Sequence, residues 1–470
     1  MSQKKAVGYL PDQKPSLGKG LLFALQQFLV MLPATVLAAI IMNSRGLEIY
    51  SIPAAVFASG FATIGFLLIT RGKIPLYYGS SFSYIPAVAI ITTKFANVSA
   101  DTVFGAIMVA SIISGLMSIG AGLLIKYFGK EKIDKILPGH ITGMIAMIIG
   151  LSLAGNTMSG ILNISADKVD WLSVLVAIIT FLTITILTVV LKKGFISQVP
   201  ILIGIGVGVI FSYLIYVPSL NSELGYFQAI GDYVVHLDAG KVGLFDHMPW
   251  NTLPAAFKEP SIILTAVLAI FPIAFATIPE SAAHVNQVDL YVNNLAAEMG
   301  VEKNYDIKNE LDTNLIGDGC ADIIAVLLGG PAGTNYGENV SASAVTKNFS
   351  SYVFGLTGII AIIVGVLLHL AGNINISQIL TNPVIQGVSL YLFGAIAVQG
   401  IALMIEKKIN VFDPKVVAVM AFIAIVGLGV SEIPVTASFV LPGIGIAAFG
   451  GILLNLLLNF LEKLTGSNKE

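Results

Sequence analysis

The chain has 470 residues, 56% hydrophobic and only 11% charged, with a mean hydropathy of +0.88. A soluble domain carries about 25% charged residues, so this composition belongs to a polytopic membrane protein. A net charge of −2 gives no basis for a nucleic-acid partner; one cysteine, Cys320, excludes an intrachain disulfide, and one Cys with five scattered His excludes structural zinc.

Residues 1–19 are polar and carry Lys4, Lys5, Lys14 and Lys19. The apolar run from Gly20 to Met42 is too long for a signal-peptide core and reads as a first span. At about twenty apolar residues per span, fourteen segments are expected: 20–42, 53–70, 76–95, 102–127, 136–155, 171–191, 197–217, 260–288, 312–329, 332–347, 351–371, 383–404, 414–430 and 438–461. The third and tenth are weak, and a hydropathy scan without them would report twelve. Each holds a Tyr-Gly turn, Tyr78-Gly79-Ser80-Ser81-Phe82 and Tyr336-Gly337-Glu338-Asn339. Interrupted hydrophobic segments at matching places in two halves point to a secondary transporter's binding site.

Loop charge supports this count. With the N-terminus inside, all but five of the 25 Lys and Arg residues fall on the cytoplasmic side, the exceptions being Arg45, Lys94, Lys168, Lys241 and Lys258. Both termini are therefore expected in the cytoplasm. Turns in the third and tenth segments imply a seven-segment repeat, whose odd number turns the second copy upside down. The halves would join near 218–259, and the charged stretch 289–311 reads as a solvated cytoplasmic linker.

Polar residues inside the spans are the candidates for chemistry. Glu280 sits at membrane depth in the eighth segment, where a carboxylate costs about 2.5–3.5 kcal/mol and so faces a cavity or a partner. His284 follows at i+4 on the same helical face, and the pair suits a proton-coupling role. Glu338 follows Gly337 where a half-helix starts, and a second half-helix starts near Phe82. Their free N–H groups would meet carbonyl oxygens while Glu280 and Glu338 accept N–H bonds. A flat heterocycle alternating C=O and N–H fits; a hexose or bare anion does not. Phe82 could stack on such a ring. Asp318 and Asp322, at i and i+4, suit helix packing or an ion or hydration site. Gln26 and Gln27 could bond the half-helices across the core. His140, His236, His247 and His369 are assigned no role, and no metal, Walker or serine-nucleophile motif is visible.

On these residues the chain resembles the nucleobase–ascorbate transporter family, and within it the bacterial uracil permeases. The carriers of the resemblance are Lys73-Ile74-Pro75-Leu76-Tyr77-Tyr78-Gly79-Ser80-Ser81-Phe82, Glu280 with His284, and Gly329 to Asn339 continuing to Thr346-Lys347. Segment order agrees from about residue 15 to 462. The resemblance implies an all-α membrane fold with a core domain, 20–127 and 260–371, and a gate domain, 136–217 and 383–461. Polar tails, 1–19 and 462–470, flank them. It also implies short strands in segments 3 and 10 meeting mid-membrane, with the substrate between the two domains. Glu280 and Glu338 would hold a pyrimidine ring, backbone amides at Phe82 and Gly337 its oxygens, Tyr336 would line the site, and His284 would support the proton-linked step. Gln27, Asp318 and Asn339 would support the core.

Three positions depart from the family: Gln26-Gln27 replaces a Gln-His, Ser341 a glycine, and Asp322 a small polar residue. The expectation is a uracil importer of a bacterial plasma membrane. It is not an enzyme, needs no cofactor, couples to H+ with Na+ left open, sits in membrane lipid and forms homodimers. A purine carrier of the xanthine type, or an anion carrier of the same architecture, is the alternative.

Overall fold

The computed structural model describes residues 8–44, 46–129, 138–163, 168–191, 196, 199–220, 225–235, 242–371, 379–436 and 439–465. Lys4, Lys5, Arg45, Lys130, Lys132, Lys135, Lys192, Lys193, His236, Lys241 and Lys469 lie outside them, as do the first residues of segments 136–155 and 197–217.

The first described helices are α1 (Leu17–Asn43) and α2 (Ile52–Ile69). Ser51 starts α2 by accepting a hydrogen bond from the Ala54 N–H, with Pro53 tolerated in the first turn. The third segment is no continuous helix. It runs as β1 (Tyr78–Ser80), a 3-10 turn at Phe82–Tyr84, and α3 (Ile85–Lys94). Next come α4 (Ala100–Phe128), α5 (Gly139–Ser152), α6 (Ala154–Leu162), α7 (Trp171–Val190) and α8 (Pro200–Phe211), the last continued by a π-turn at Ser212–Tyr216 and an α-turn at Val217–Leu220. Asp170 caps α7 through the N–H groups of Leu172 and Ser173.

The stretch 218–259, read above as a joining loop, contains α9 (Tyr226–Val235) and α10 (Pro249–Ala256), and α10 packs on α4. Then follow α11 (Pro260–Ile270) and, after a 3-10 turn at Phe271–Ile273, α12 (Ala274–Met299). Helix α12 runs into the stretch read as a solvated linker. Val288, Val292 and Leu295 are buried there at helical spacing, and a left-handed Gly300 ends it. The chain continues with α13 (Leu311–Leu327), β2 (Gly333–Asn335), α14 (Gly337–Thr346), α15 (Ser351–Leu370), α16 (Asn382–Glu406) and α17 (Pro414–Gly429). A hairpin that the sequence reading missed, β3 (Glu432–Thr436) with β4 (Phe439–Pro442), leads into α18 (Gly443–Thr465). The run Ile433, Val435, Phe439, Val440 and Leu441 is β-branched or bulky and favours a pleated conformation over a helical start at 438.

Among the described residues ten helices are long and apolar enough to cross a membrane, counting 139–162, 200–220 and 260–299 as one each. The remaining four expected segments are the 17-residue α13, the 16-residue α17 and the two strand-plus-short-helix arms.

Elements distant in sequence pack together. Helix α4 lies on α13, α2 on α13 and α15, and α1 on α15; α16 lies on α5 and α7, and α17 on α18. Small residues permit the close pairs. A Cβ at Gly60 would come 2.4 Å from the Gly358 carbonyl oxygen, and one at Gly319 2.2 Å from that of Gly115. At one end of this body residues 8–13 form a strap. The Tyr9 N–H donates to the Lys347 carbonyl (2.9 Å) and the Phe349 N–H to the Tyr9 carbonyl (2.8 Å). Asp12 accepts from Lys303 and from the Tyr305 hydroxyl (2.6 Å), and Leu10 is fully buried beneath.

Candidate functional site

The two Tyr-Gly turns meet. Strands β1 and β2 pair antiparallel in the register Tyr78 with Asn335, Gly79 with Thr334 and Ser80 with Gly333. The Tyr336 N–H donates to the Tyr77 carbonyl and the Ser81 N–H to the Ala332 carbonyl, extending the ladder by one bond at each end. Irregular backbone at membrane depth needs this mutual satisfaction, because lipid offers no hydrogen bonds. Gly333 makes the crossing possible: a Cβ there would lie 2.0 Å from the Gly79 carbonyl oxygen.

Helices on either side brace the crossing. The Thr63 hydroxyl donates to the Tyr78 carbonyl and accepts from the Tyr78 N–H, both at 3.1 Å. Asp322 accepts from the Tyr78 hydroxyl and from the Gly333 N–H (2.9 Å), touching both strands at once. The Tyr336 hydroxyl donates to the Ser80 carbonyl (2.8 Å) and also meets the Thr35 hydroxyl (3.0 Å).

Beyond the crossing each arm turns into a short helix, and the helix starts face a cavity of about 440 Å³. Glu280, His284, Phe82, Tyr336, Gly337 and Glu338 all line it. Glu280 projects from α12 directly after Pro279, and Glu338 from the first turn of α14. A carboxylate in a first turn is favoured by the helix dipole, and the first-turn N–H groups have no partner within their own helix. His284 packs so closely on the second turn that a Cβ on Gly337 would lie 2.9 Å from its Nε2. The residue is 8% exposed and its Nδ1 has no hydrogen-bond partner. The site therefore combines backbone donors, two carboxyl groups, one imidazole and the Phe82 ring on the wall of one cavity.

Gln27, Asp318 and Asn339 do not line this cavity; they stand behind it. The Gln27 amide donates to the Ser343 hydroxyl (2.8 Å), and its Oε1 accepts from Asn339 Nδ2 (2.7 Å), which fastens α1 to α14. Asp318 accepts from Asn335 Nδ2 and Asn314 Nδ2 and ties α13 to β2.

Residues the sequence reading passed over complete the wall. Thr188 of α7 and Tyr391 and Gln399 of α16 line the cavity, and the Tyr391 hydroxyl donates to Thr188 Oγ1 (3.4 Å). Gln399 stands as a polar residue within an apolar segment, the same signal that marked Glu280. Ser341, noted above as a family departure, lines the cavity as well. Among the described residues no group of three or more His, Cys, Asp or Glu is arranged to hold a metal ion.

The chain is 32% identical to the uracil permease of Bacillus caldolyticus over 452 residues, covering 95% of this chain and 94% of that one. It is 30% identical to the uracil permease of Bacillus subtilis (strain 168), covering 93% and 92%. The uracil permease of Escherichia coli (strain K12) is 28% identical, covering 98% and 96%. Among solved structures, the transmembrane domain of the cyanobacterium bicarbonate transporter BicA superposes with a TM-score of 0.55 at 15% identity, covering 96% of this chain and all of that one. Murine Slc26a9, an anion transporter in the inward-facing state, gives 0.57 at 10% identity over 96% of this chain and 69% of that one. These two likenesses speak for the fold alone. Residues 18–436 match the sequence profile Xan_ur_permease, described as the Permease family. With that match over most of its length, the chain belongs to the Permease family and is a multi-pass membrane transporter rather than an enzyme.

Proposed function

We propose that the protein imports uracil by proton symport. The observation that carries this reading is the meeting of Glu280 and Glu338 in one cavity with the backbone turns at Phe82 and Gly337. A pyrimidine-dione edge alternates C=O and N–H. The two carboxyl groups accept from its ring N–H groups, and the turn amides donate to its oxygens. The names of the full-length relatives support uracil as the substrate. Glu280 also serves as the proton-carrying group, with His284 one turn along the same helix in support.

Transport follows an alternating-access cycle on fourteen segments arranged as a 7+7 inverted repeat. The core holds segments 1–4 and 8–11, the gate segments 5–7 and 12–14, and the core slides against the gate. Cross-sequence packing of α4 on α13 and of α5 on α16 supports the division. The lysine-rich loops support cytoplasmic termini in a bacterial plasma membrane, and the working unit is a homodimer. An anion carrier on this fold is disfavoured, because two carboxyl groups beside the helix starts would repel an anion.

The test is radiolabelled uracil uptake into proteoliposomes, with and without an inward proton gradient, competed by 5-fluorouracil and xanthine. Gradient-driven uptake blocked by 5-fluorouracil alone is expected. Glu338→Gln should weaken uracil binding about 10- to 100-fold, in keeping with roughly 1.5–3 kcal/mol for a charged hydrogen bond. Glu280→Gln should abolish accumulation while leaving exchange. Uptake of xanthine in place of uracil would move the substrate to the purines. Unchanged uptake in both variants would sink the site assignment.

A further inference from the structure

Glu280 borders a second space. A crevice of about 120 Å³ adjoins the solute cavity, and the two share only Ser83, Glu280, Ile396 and Gln399. The rest of its wall comes from α5, α12 and the last turns of α16; α1, α7, α8 and α14, which help to line the cavity, take no part. On α16, Gln399, Ala402 and Glu406 stand at i, i+3 and i+7 and so share one helical face. That face carries the crevice about 10 Å along the helix, from the level of Glu280 to its end. Glu406 is exposed there.

Small side chains keep this space open. Ala146 of α5, Ala283 of α12 and Ala402 of α16 all line it. Nearby, α5 and α16 are in tight contact, since a Cβ on Gly400 would come 2.4 Å from the Gly143 carbonyl oxygen. A space of this size holds a short file of waters where polar groups anchor them. Ser83, Glu280 and Gln399 offer such groups at the inner end, and Glu406 at the outer. Glu338 and His284 are the other ionisable groups of the solute cavity beside Glu280. Around Glu406 the ionisable groups are Lys407, Lys408 and, at the start of α5, His140, whose Nε2 meets Asn455 Oδ1 (3.3 Å). The start of α5 abuts this end of α16: a Cβ on Gly139 would lie 2.8 Å from that of Lys407.

We propose that this crevice is the proton's own route between Glu280 and the surface at Glu406, separate from the cavity that takes the solute. The route presupposes the proton symport proposed above. On unloading, the Glu280 O–H gives its proton to the first water and is left as a carboxylate. Each water passes one proton on, and the Glu406 carboxylate accepts the last and releases it to bulk water. An ionisable residue within a span that meets such a file is a proton relay. Loop charge puts this end of α16 in the cytoplasm. With α12 in the core and α5 and α16 in the gate, sliding of one against the other alters the crevice and ties proton release to one state of the cycle. The proton can then leave while the solute still fills the cavity.

The test uses the purified full chain in proteoliposomes that enclose a pH dye, with proton-driven uracil accumulation and uracil–uracil exchange measured side by side. Exchange needs no proton release, so the two readouts separate the routes. Ala402→Leu fills the crevice from a residue outside the solute cavity. It should slow accumulation and proton movement about tenfold or more, with exchange and uracil affinity within about twofold of the wild type. Ala402→Ser, which keeps the space, should behave as the wild type. Glu406→Gln, at an exposed helix end where folding is not at stake, should slow accumulation about threefold. Accumulation unchanged in Ala402→Leu and Glu406→Gln overturns the proposal. Exchange lost together with accumulation in an Ala402→Leu protein of wild-type Tm also overturns it, because the crevice would then belong to the solute's path. A wild-type chain that takes up uracil without moving protons removes the symport reading and this route with it. Independently of uptake, Ala402→Cys in a Cys320→Ser background should react with a small water-soluble thiol reagent, with or without uracil. No reaction would mean a dry crevice and would sink the route.

Discussion

The two Tyr-Gly arms share a backbone plan but differ in what holds and arms them. The first, through β1 and Phe82, is neutral; Thr63 braces it, and it presents backbone and an aromatic ring. The second, through β2 and α14, carries Glu338 and is fastened by Gln27, with the strap of residues 8–13 clamped just beyond its helix. Between the strands Asp322 serves both. The contrast separates two jobs that one motif can do: offering donors to a ligand, and placing a charge where lipid would otherwise forbid it. The charged arm needs the larger scaffold, since a misplaced carboxyl at membrane depth is costly.

The strongest way to break this pairing is at its closest contact. Gly333→Ala drives a Cβ into the Gly79 carbonyl, a backbone atom that cannot swing away. Destabilisation of about 3 kcal/mol and loss of uptake are expected, at the top of the overpacking range. Gly79→Ala instead meets the Tyr336 ring at 2.5 Å, a side chain able to turn, and should cost about 1–2 kcal/mol. Thermal unfolding of both variants checks the ranking, and equal costs would contradict it.

Gln27→Ala tests the scaffold of the charged arm alone. It leaves the buried Asn339 amide and Ser343 hydroxyl without this partner, at about 1–3 kcal/mol. Hydrogen exchange should rise in 337–346 and not in 78–84. Thr63→Val is the mirror experiment on the neutral arm. Loss of its bonds at Tyr78 should cost about 1 kcal/mol, with exchange rising in 78–84. A uniform rise across both arms in either variant would mean that they move as one body.

The smallest expected effect lies in the strap. Burial pushes the Asp12 carboxyl up, but hydrogen bonds from Lys303 and Tyr305 and the Lys303 charge outweigh it and hold the group below 3.8. A carboxyl with a depressed folded-state pKa stabilises above its unfolded value and loses that contribution as pH falls through the folded one. Asp12 is about half exposed, so solvent screening limits the pair to a few tenths of a kcal/mol. Asp12→Asn should lower Tm slightly at pH 7, and the difference should fade as pH falls below 3.8 and through the depressed folded-state value. Equal Tm at pH 7 would mean that the strap is held by its backbone ladder and Leu10 alone.

Much of this site could be read from residues standing out against an apolar background. Glu280, Glu338 and the two Tyr-Gly turns were visible because charge and glycine are rare in such spans. Asp318 and Asp322 were visible as a pair, but not the division of labour between them, which depends on partners in β1, β2 and α12 far away in the chain. Tyr391 and Gln399 carried the same in-span polarity and were missed because they lie on no interrupted segment. The β3–β4 hairpin was hidden for a different reason: its apolar residues are equally compatible with a helix start. The extension of α12 to Met299 was masked because the charges of 289–311 read as one stretch, although only Asp289 and Glu298 among them fall on the helix.

The pairing of Tyr78–Ser80 with Gly333–Asn335 also sets a schedule for biogenesis. At about 5–20 residues per second, roughly 10–50 s of synthesis separate the first strand from its partner. Throughout that interval the first arm sits in or beside the membrane with a strand edge that lipid cannot satisfy. Newly made chains should therefore depend on the insertion machinery, or on transient shelter by α2, until Gly333 emerges. A ribosome stalled between these two points would hold the chain at its most aggregation-prone.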